Sequence, residues 1–246
     1  MSLAWCLLLS STVLQAQLLL YQKEPFHFVN TGRTAEIQCV STETISSGIM
    51  FSWYKRRENE ISVLIAKCAG MANNAKFICR VEQEKLILKI SNLRTEDSGL
   101  YFCGTRQDGF FSFSNGSSLI VGDSYTPRTQ VVLLLPPAPP APTLMHAGHV
   151  ACVVRGVSNL VQVSWDVPGE LQQEGLTRLV KSSSGSLTFV SVLQIPRDSH
   201  WGGKNVTCQV RFNSSGPSIK KSATFPAPTV EHSHWGHMKN AKSVYV

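Results

Sequence analysis

Asp97-Ser98-Gly99-Leu100-Tyr101-Phe102-Cys103 decides how the rest of the chain is read. Turn-forming residues give way to an apolar strand, and the tyrosine stands two places before a cysteine, where its hydroxyl can satisfy a backbone group at the turn. Short alternating segments recur on either side of this stretch. Upstream are Ala35 to Val40, Met50 to Tyr54 and Lys85 to Ile90, and Ser118 to Val121 follows. The second half repeats the layout with His149 to Val154, Val161 to Trp165, Ser186 to Ile195 and Asn205 to Phe212. Helical periodicity is almost absent. Many short strands without intervening helices predict an all-β sandwich or barrel.

With 246 residues the chain has room for two domains of about 100 residues each. Charged residues make up 16% and apolar ones 43%, a balance that excludes a disordered or fibrous chain. The net charge of +7 is spread along the sequence, its densest run being Lys55-Arg56-Arg57. No groove-reading motif accompanies it, so nucleic-acid binding is not expected.

Met1 to Ala16 reads as a secretory leader, with Leu3 to Leu9 as its apolar region and Ala16 as the small residue before cleavage. Export implies an oxidising compartment, secreted or at the extracellular face of the plasma membrane. Cys6 leaves with the leader, and an even number of cysteines remains. Thr129 to Val154 lacks acidic and basic side chains, yet Pro136, Pro137, Pro139, Pro140 and Pro142 prevent a helix from satisfying its backbone in lipid. No membrane span is therefore expected.

The turn-rich stretch Gly122 to Arg128 suggests the boundary, giving domains at 17–123 and 124–228 and a polar, disordered tail at 229–246. Gln130 to Leu135 reads as the first strand of the second domain, since consecutive apolar residues should be buried; a stiff proline-rich linker is the alternative.

Cys39, Trp53, Tyr101 and Cys103 together resemble the core of an immunoglobulin domain. The resemblance implies a Cys39–Cys103 disulfide between facing sheets, Trp53 packed on it, and a Lys76–Asp97 salt bridge closing the sandwich. The long Cys39-to-Cys103 spacing is of the variable set, with room for two extra edge strands. Phe113-Ser114-Asn115-Gly116-Ser117-Ser118-Leu119-Ile120-Val121 is similar to the joining-segment pattern of antigen receptors, where it forms a bulged last strand; Ser114 stands where glycine is usual. Cys152, Trp165 and Cys208 resemble a constant-type domain, which implies a Cys152–Cys208 disulfide. Val206 occupies the tyrosine position there, and Phe212 replaces a customary histidine. The whole resembles antibody light chains, T-cell-receptor chains and fish novel immune-type receptors: two tandem immunoglobulin β-sandwiches, variable-set then constant-set.

Cys68 and Cys79 remain, expected as a third disulfide near the ends of the extra edge strands or as a link to another chain. The ligand-binding surface is expected on loops at one end of the first sandwich. Arg106-Gln107-Asp108-Gly109-Phe110-Phe111 is the third hypervariable-like loop, its phenylalanines beside arginine and aspartate being suited to a protein partner, unless one ring packs back under the loop. Ser41 to Gly48 is the first such loop. Chain pairing is expected through Tyr54, Arg56 and Phe113. Arg56 stands where a glutamine is usual, and two arginines on a symmetry axis would repel, so a second immunoglobulin-type chain with acidic groups fits better than a second copy. Asn115, Asn205 and Asn213 head glycosylation sequons. His232, His234 and His237 cluster in the tail without a fold around them, so no metal site is expected. No cofactor motif or catalytic constellation is visible, and the chain is expected not to be an enzyme. The resemblance implies an immune recognition protein, or alternatively a costimulatory or adhesion ligand of the butyrophilin type.

Overall fold

The computed structural model describes residues 20–42, 45, 49–58, 60–68, 75–107, 109–136, 148–167, 170–173 (backbone alone), 175–182, 186–194, 203–216 and 218–225. The leader at 1–16, Asp108, most of the 41–48 loop, Pro137 onward in the proline cluster, the tail histidines and 229–246 lie outside the described residues. Two compact units divide the chain, Met1–Asp123 and Ser124–Val246.

The first unit holds β1 (Leu20–Tyr21), β2 (Phe26–Val29), β3 (Ala35–Ser41), β4 (Met50–Arg56), β5 (Val63–Lys67), β6 (Phe77–Glu82), β7 (Lys85–Ile90), β8 (Gly99–Gln107), β9 (Phe110–Phe113) and β10 (Ser117–Val121). One sheet runs β1-β3-β7-β6, and the other β2-β10-β8-β4-β5 with β9 also on β8. The alternation is strict where a strand has one wet face: Ala35, Ile37, Cys39 and Ser41 of β3 are buried, while Glu36 and Gln38 are exposed. Cys39 and Cys103 are disulfide-bonded across the sheets, and Trp53 beside them is fully buried. Burial of one such ring against its exposure separates a folded from an unfolded domain at the few-kcal/mol level that decides stability.

Below the core a short 3₁₀ turn, Thr95–Asp97, is locked from three directions. The Tyr101 hydroxyl donates to the Asp97 carbonyl at 2.6 Å, Lys76 Nζ lies 2.7 Å from the Asp97 carboxylate, and that carboxylate accepts from the Arg94 amide at 2.8 Å. Burial and the nearby Asp97 charge push the Tyr101 phenol well above its usual range, as befits a hydroxyl kept as a donor.

Cys68 and Cys79 are also disulfide-bonded. The expectation that both sit at the ends of extra edge strands needs correction. Cys68 follows edge strand β5 of one sheet, but Cys79 is inside β6, the edge of the opposite sheet. The bond therefore clips the two sheets together at their open side. Of the two extra edge strands implied by the long spacing, β5 is described; residues 69–74 are outside the description.

The second unit holds β11 (Gln130–Leu134), β12 (His149–Val157), β13 (Gln162–Val167), β14 (Glu170–Gln173), β15 (Leu176–Lys181), β16 (Leu187–Gln194), β17 (Asn205–Arg211) and β18 (Ile219–Thr224). Its sheets are β11-β12-β16-β15 and β14-β13-β17-β18, joined by the Cys152–Cys208 disulfide. Trp165 is fully buried and its indole N–H donates to Ser191 Oγ at 3.1 Å. Val206 and Phe212, the two departures from the constant-type pattern, are buried in this core. Gln130–Leu134 is a strand, yet its apolar run is not buried as a block. Val131 is buried, whereas Val132 is 40% and Leu134 50% exposed, because period-two geometry sends alternate side chains outward whatever their chemistry.

Candidate recognition site

Strand β4 turns Phe51 and Trp53 into the core and therefore turns Ser52, Tyr54 and Arg56 outward. Strand β8 likewise buries Tyr101, Cys103 and Thr105 and presents Phe102 and Arg106 on the same outer face, with Tyr54 directly opposite Phe102. Their rings stack at 5.5 Å. Phe113 of β9 meets both edge-on, each at 5.7 Å. Phe111 continues the series, stacked on Phe113 at 6.2 Å, and the Arg106 guanidinium lies 5.5 Å over the Phe111 ring. Four aromatic rings and a capping cation thus line one sheet face.

The segment expected as a hypervariable loop is mostly strand. Gly104 to Gln107 belong to β8 and pair with Phe113 back to Phe110 of β9, leaving Asp108 and Gly109 as a two-residue connection, with Gly109 at φ +86°. Asp-Gly is the dipeptide that favours such a turn, so the signal for a hairpin was in the sequence. Phe110 is 71% and Phe111 58% exposed; neither packs back underneath. Arg106 and Gln107 are exposed as well.

Between β9 and β10 the last strand gains one residue. Phe113 opposes Gly104 but Ser117 opposes Tyr101, so four steps on one side match three on the other. Gly116 takes up the bulge at φ +85°. Ser114, in place of glycine, contributes chemistry there: its backbone N–H donates to the Cys103 carbonyl at 3.0 Å, and its hydroxyl accepts from the Cys103 amide at 3.1 Å. The hydroxyl also donates to Gln22 Oε1 at 2.6 Å.

Gln22, 3% exposed, is the hub that sequence reading missed. Its Nε2 donates to the Tyr101 carbonyl at 3.1 Å and to Ser117 Oγ at 2.7 Å. Its backbone N–H donates to Asn115 Oδ1 at 2.7 Å, and Asn115 Nδ2 donates back to the Gln22 carbonyl at 3.0 Å. The side chain of Asn115 therefore works as a strand-pairing group, with the nitrogen that a glycan would occupy already engaged. Asn205 is exposed on β17, its Oδ1 accepting from the Thr224 hydroxyl at 2.9 Å; Asn213 accepts from the Ser215 amide at 3.1 Å in a turn.

Below this face Lys55 reaches under the sheet, 5.6 Å over the Tyr101 ring, and donates to the Glu96 carbonyl at 2.7 Å. Arg57 donates to the same carbonyl. Burial first, then the Arg57 charge, lowers the Lys55 ammonium to about 8. Arg56, by contrast, is exposed at the edge of the aromatic face.

The Immunoglobulin V-set domain family matches residues 22–122. The Immunoglobulin C1-set domain family matches residues 132–215. The chain belongs to the immunoglobulin superfamily. Its variable-type domain is also similar to an Ig kappa chain V region of Oryctolagus cuniculus, 25% identical over 93 residues, which is 37% of this chain and 84% of that protein. Immunoglobulin domains of these two sets are typically extracellular recognition modules without enzymatic activity, and this chain shares their architecture. In this immunoglobulin V-set domain, Tyr54 and Phe113 lie together, while Arg56 stays outside the ring cluster. Phe102 was legible from its position between buried Tyr101 and Cys103. Gln22 was not, because nothing local marks a glutamine whose partners are all more than 75 residues away.

Proposed function

We propose that this chain is a non-enzymatic immune recognition protein, acting outside the cell, that binds a protein ligand through the β8–β9 hairpin of its V-set domain. The observation supporting this is the ring series Tyr54, Phe102, Phe113 and Phe111, which runs to two exposed phenylalanines, Phe110 and Phe111, on β9 where it pairs with β8. Rings held on paired strands lose little conformational freedom on binding, and aromatic anchors beside an arginine dominate many protein interfaces. Arg106, Gln107, Asp108, Gly109, Phe110 and Phe111 form the ligand-facing tip. Tyr54, Phe113 and Arg56 pair with a second immunoglobulin-type chain carrying an acidic group opposite Arg56. The chain uses no cofactor in this role.

The test is a display screen of the intact chain against extracellular proteins, repeated with Phe110→Ser/Phe111→Ser. Binding should be lost with an unchanged melting temperature. A double variant that melts normally and still binds would place recognition elsewhere.

A further inference from the structure

The three sequons differ in what folding does to their acceptor groups. The side-chain amide of Asn115 pairs with the backbone of Gln22 as a strand would: Oδ1 accepts from the Gln22 amide at 2.7 Å, and Nδ2 donates to the Gln22 carbonyl at 3.0 Å. Both bonds run to one residue, so they leave the side chain on one side, and the Nδ2 hydrogen used is the one cis to Oδ1. A glycosylated asparagine is a secondary amide, and its favoured trans form puts the sugar carbon in that same position. Sugar and the Gln22 carbonyl therefore compete for one place on Nδ2. The hydroxyl of this sequon is engaged as well. Ser117, 1% exposed, donates to the Glu24 carbonyl at 2.6 Å and accepts from Gln22 Nε2 at 2.7 Å.

The other two sequons stay open after folding. Asn205 is exposed on β17, and its Nδ2 has no partner among the described residues. Thr207 shares that outer face, its hydroxyl 2.8 Å from that of Ser222. Asn213 Oδ1 accepts from the Ser215 and Gly216 amides in an Asx turn, which likewise leaves Nδ2 without a partner among the described residues. We infer that Asn205 and Asn213 carry N-linked glycan while folding closes Asn115, so that a glycan at Asn115 and a native first domain exclude one another. This keeps the ring face bare, since Asn115 lies beside Phe113 in the chain. The assignment rests on the extracellular role proposed above, which takes the chain through a compartment supplying an oligosaccharide linked to a lipid diphosphate. In the transfer Nδ2 bonds to the anomeric carbon and loses a proton, while the bond from that carbon to the diphosphate breaks and the lipid diphosphate leaves. Gln22 and Asn115 are 93 residues apart, so their pairing closes only when most of the first domain has been made. Folding and transfer then race for one nitrogen.

The experiment expresses the whole chain in secretory eukaryotic cells and removes glycans with peptide N-glycosidase in heavy-oxygen water, which marks each occupied asparagine by mass. Secreted chain should be marked at Asn205 and Asn213 and unmarked at Asn115. Non-reducing peptide mapping of Cys39–Cys103 and circular dichroism melting establish that the first domain is native. Dithiothreitol present during synthesis keeps that disulfide open, and Asn115 should then be marked in most chains. Once the reductant is removed, the chains marked at Asn115 should fail to regain native melting. A marked Asn115 in secreted, native chain overturns the inference, and so does a bare Asn205 or Asn213. An Asn115 left empty under reductant also overturns it, because the sequon would then be silent whether or not the domain folds. Retention of the wild-type chain inside the cell would overturn the extracellular role together with this assignment, whereas a marked Asn115 in native chain overturns this assignment alone.

Discussion

The ring of Phe113 occupies the space that a side chain at Gly104 would need: a Cβ there would come within 2.5 Å of the ring. The two residues face each other across β8 and β9, so the absence of a side chain on one strand lets the ring on the other lie flat and reach Tyr54 and Phe102.

Gly104→Ala should therefore displace Phe113 without unfolding the domain. The ring is 49% exposed and can swing toward solvent, so the stability loss should stay within about 1 kcal/mol. The signature is a changed near-ultraviolet circular dichroism spectrum, from uncoupled aromatic rings, with a nearly constant melting temperature. An unchanged spectrum would mean the rings are not coupled as described.

Gln22→Leu should cost more than its size suggests. It leaves the Ser117 and Ser114 hydroxyls and the Tyr101 carbonyl short of partners in a buried region. A loss of about 2–3 kcal/mol is expected by denaturant titration. Gln22→Glu keeps the acceptor for Ser114 but removes both donors, and should also destabilise. A wild-type midpoint for either variant would remove Gln22 from its place as hub.

Replacing Cys68 and Cys79 together with serine opens an eleven-residue clip between opposite sheet edges and should lower stability by about 2–3 kcal/mol. The expected pattern in hydrogen exchange is loss of protection in β5 and β6, with β3, β4 and β8 protected as before. Uniform loss of protection would show that the clip holds the whole sandwich.

Stability should pass through a maximum on the alkaline side. Lys55 titrates near 8 when folded and at 10.5 when unfolded, so between those values the unfolded chain holds the extra proton and stability rises with pH. Tyr101 works in the opposite sense. Its phenol ionises at 10.0 when unfolded but stays protonated when folded, so stability falls as pH rises above that value. Urea midpoints measured from neutral pH upward should climb and then drop. Lys55→Met should flatten the rising limb, and Tyr101→Phe the falling one. A rise that survives Lys55→Met would assign it to another group.

The sequence by itself determined the all-β class and the clearest alternating strands, and its resemblance to immunoglobulin domains implied two of the three disulfides. Alternation of apolar and polar residues is a local property, and Ala35 to Ser41 or Lys85 to Ile90 declare their buried sides wherever they are placed. The Asp97-to-Cys103 stretch is equally local, since the tyrosine hydroxyl closes on a carbonyl four residues back. Tertiary structure alone decided what lies between distant segments. Gln22 meets Asn115, Ser114 and Ser117 only because β10 and the residues just before it return beside the segment that joins β1 to β2, and no spacing along the sequence encodes that approach. The same holds for Phe113 over Gly104, and for Cys79 on the sheet opposite the one that Cys68 follows. Even the apolar run Gln130 to Leu135 was read correctly as a strand and incorrectly as buried. A strand's pattern says which side chains share a face, but only its neighbours decide whether that face is covered.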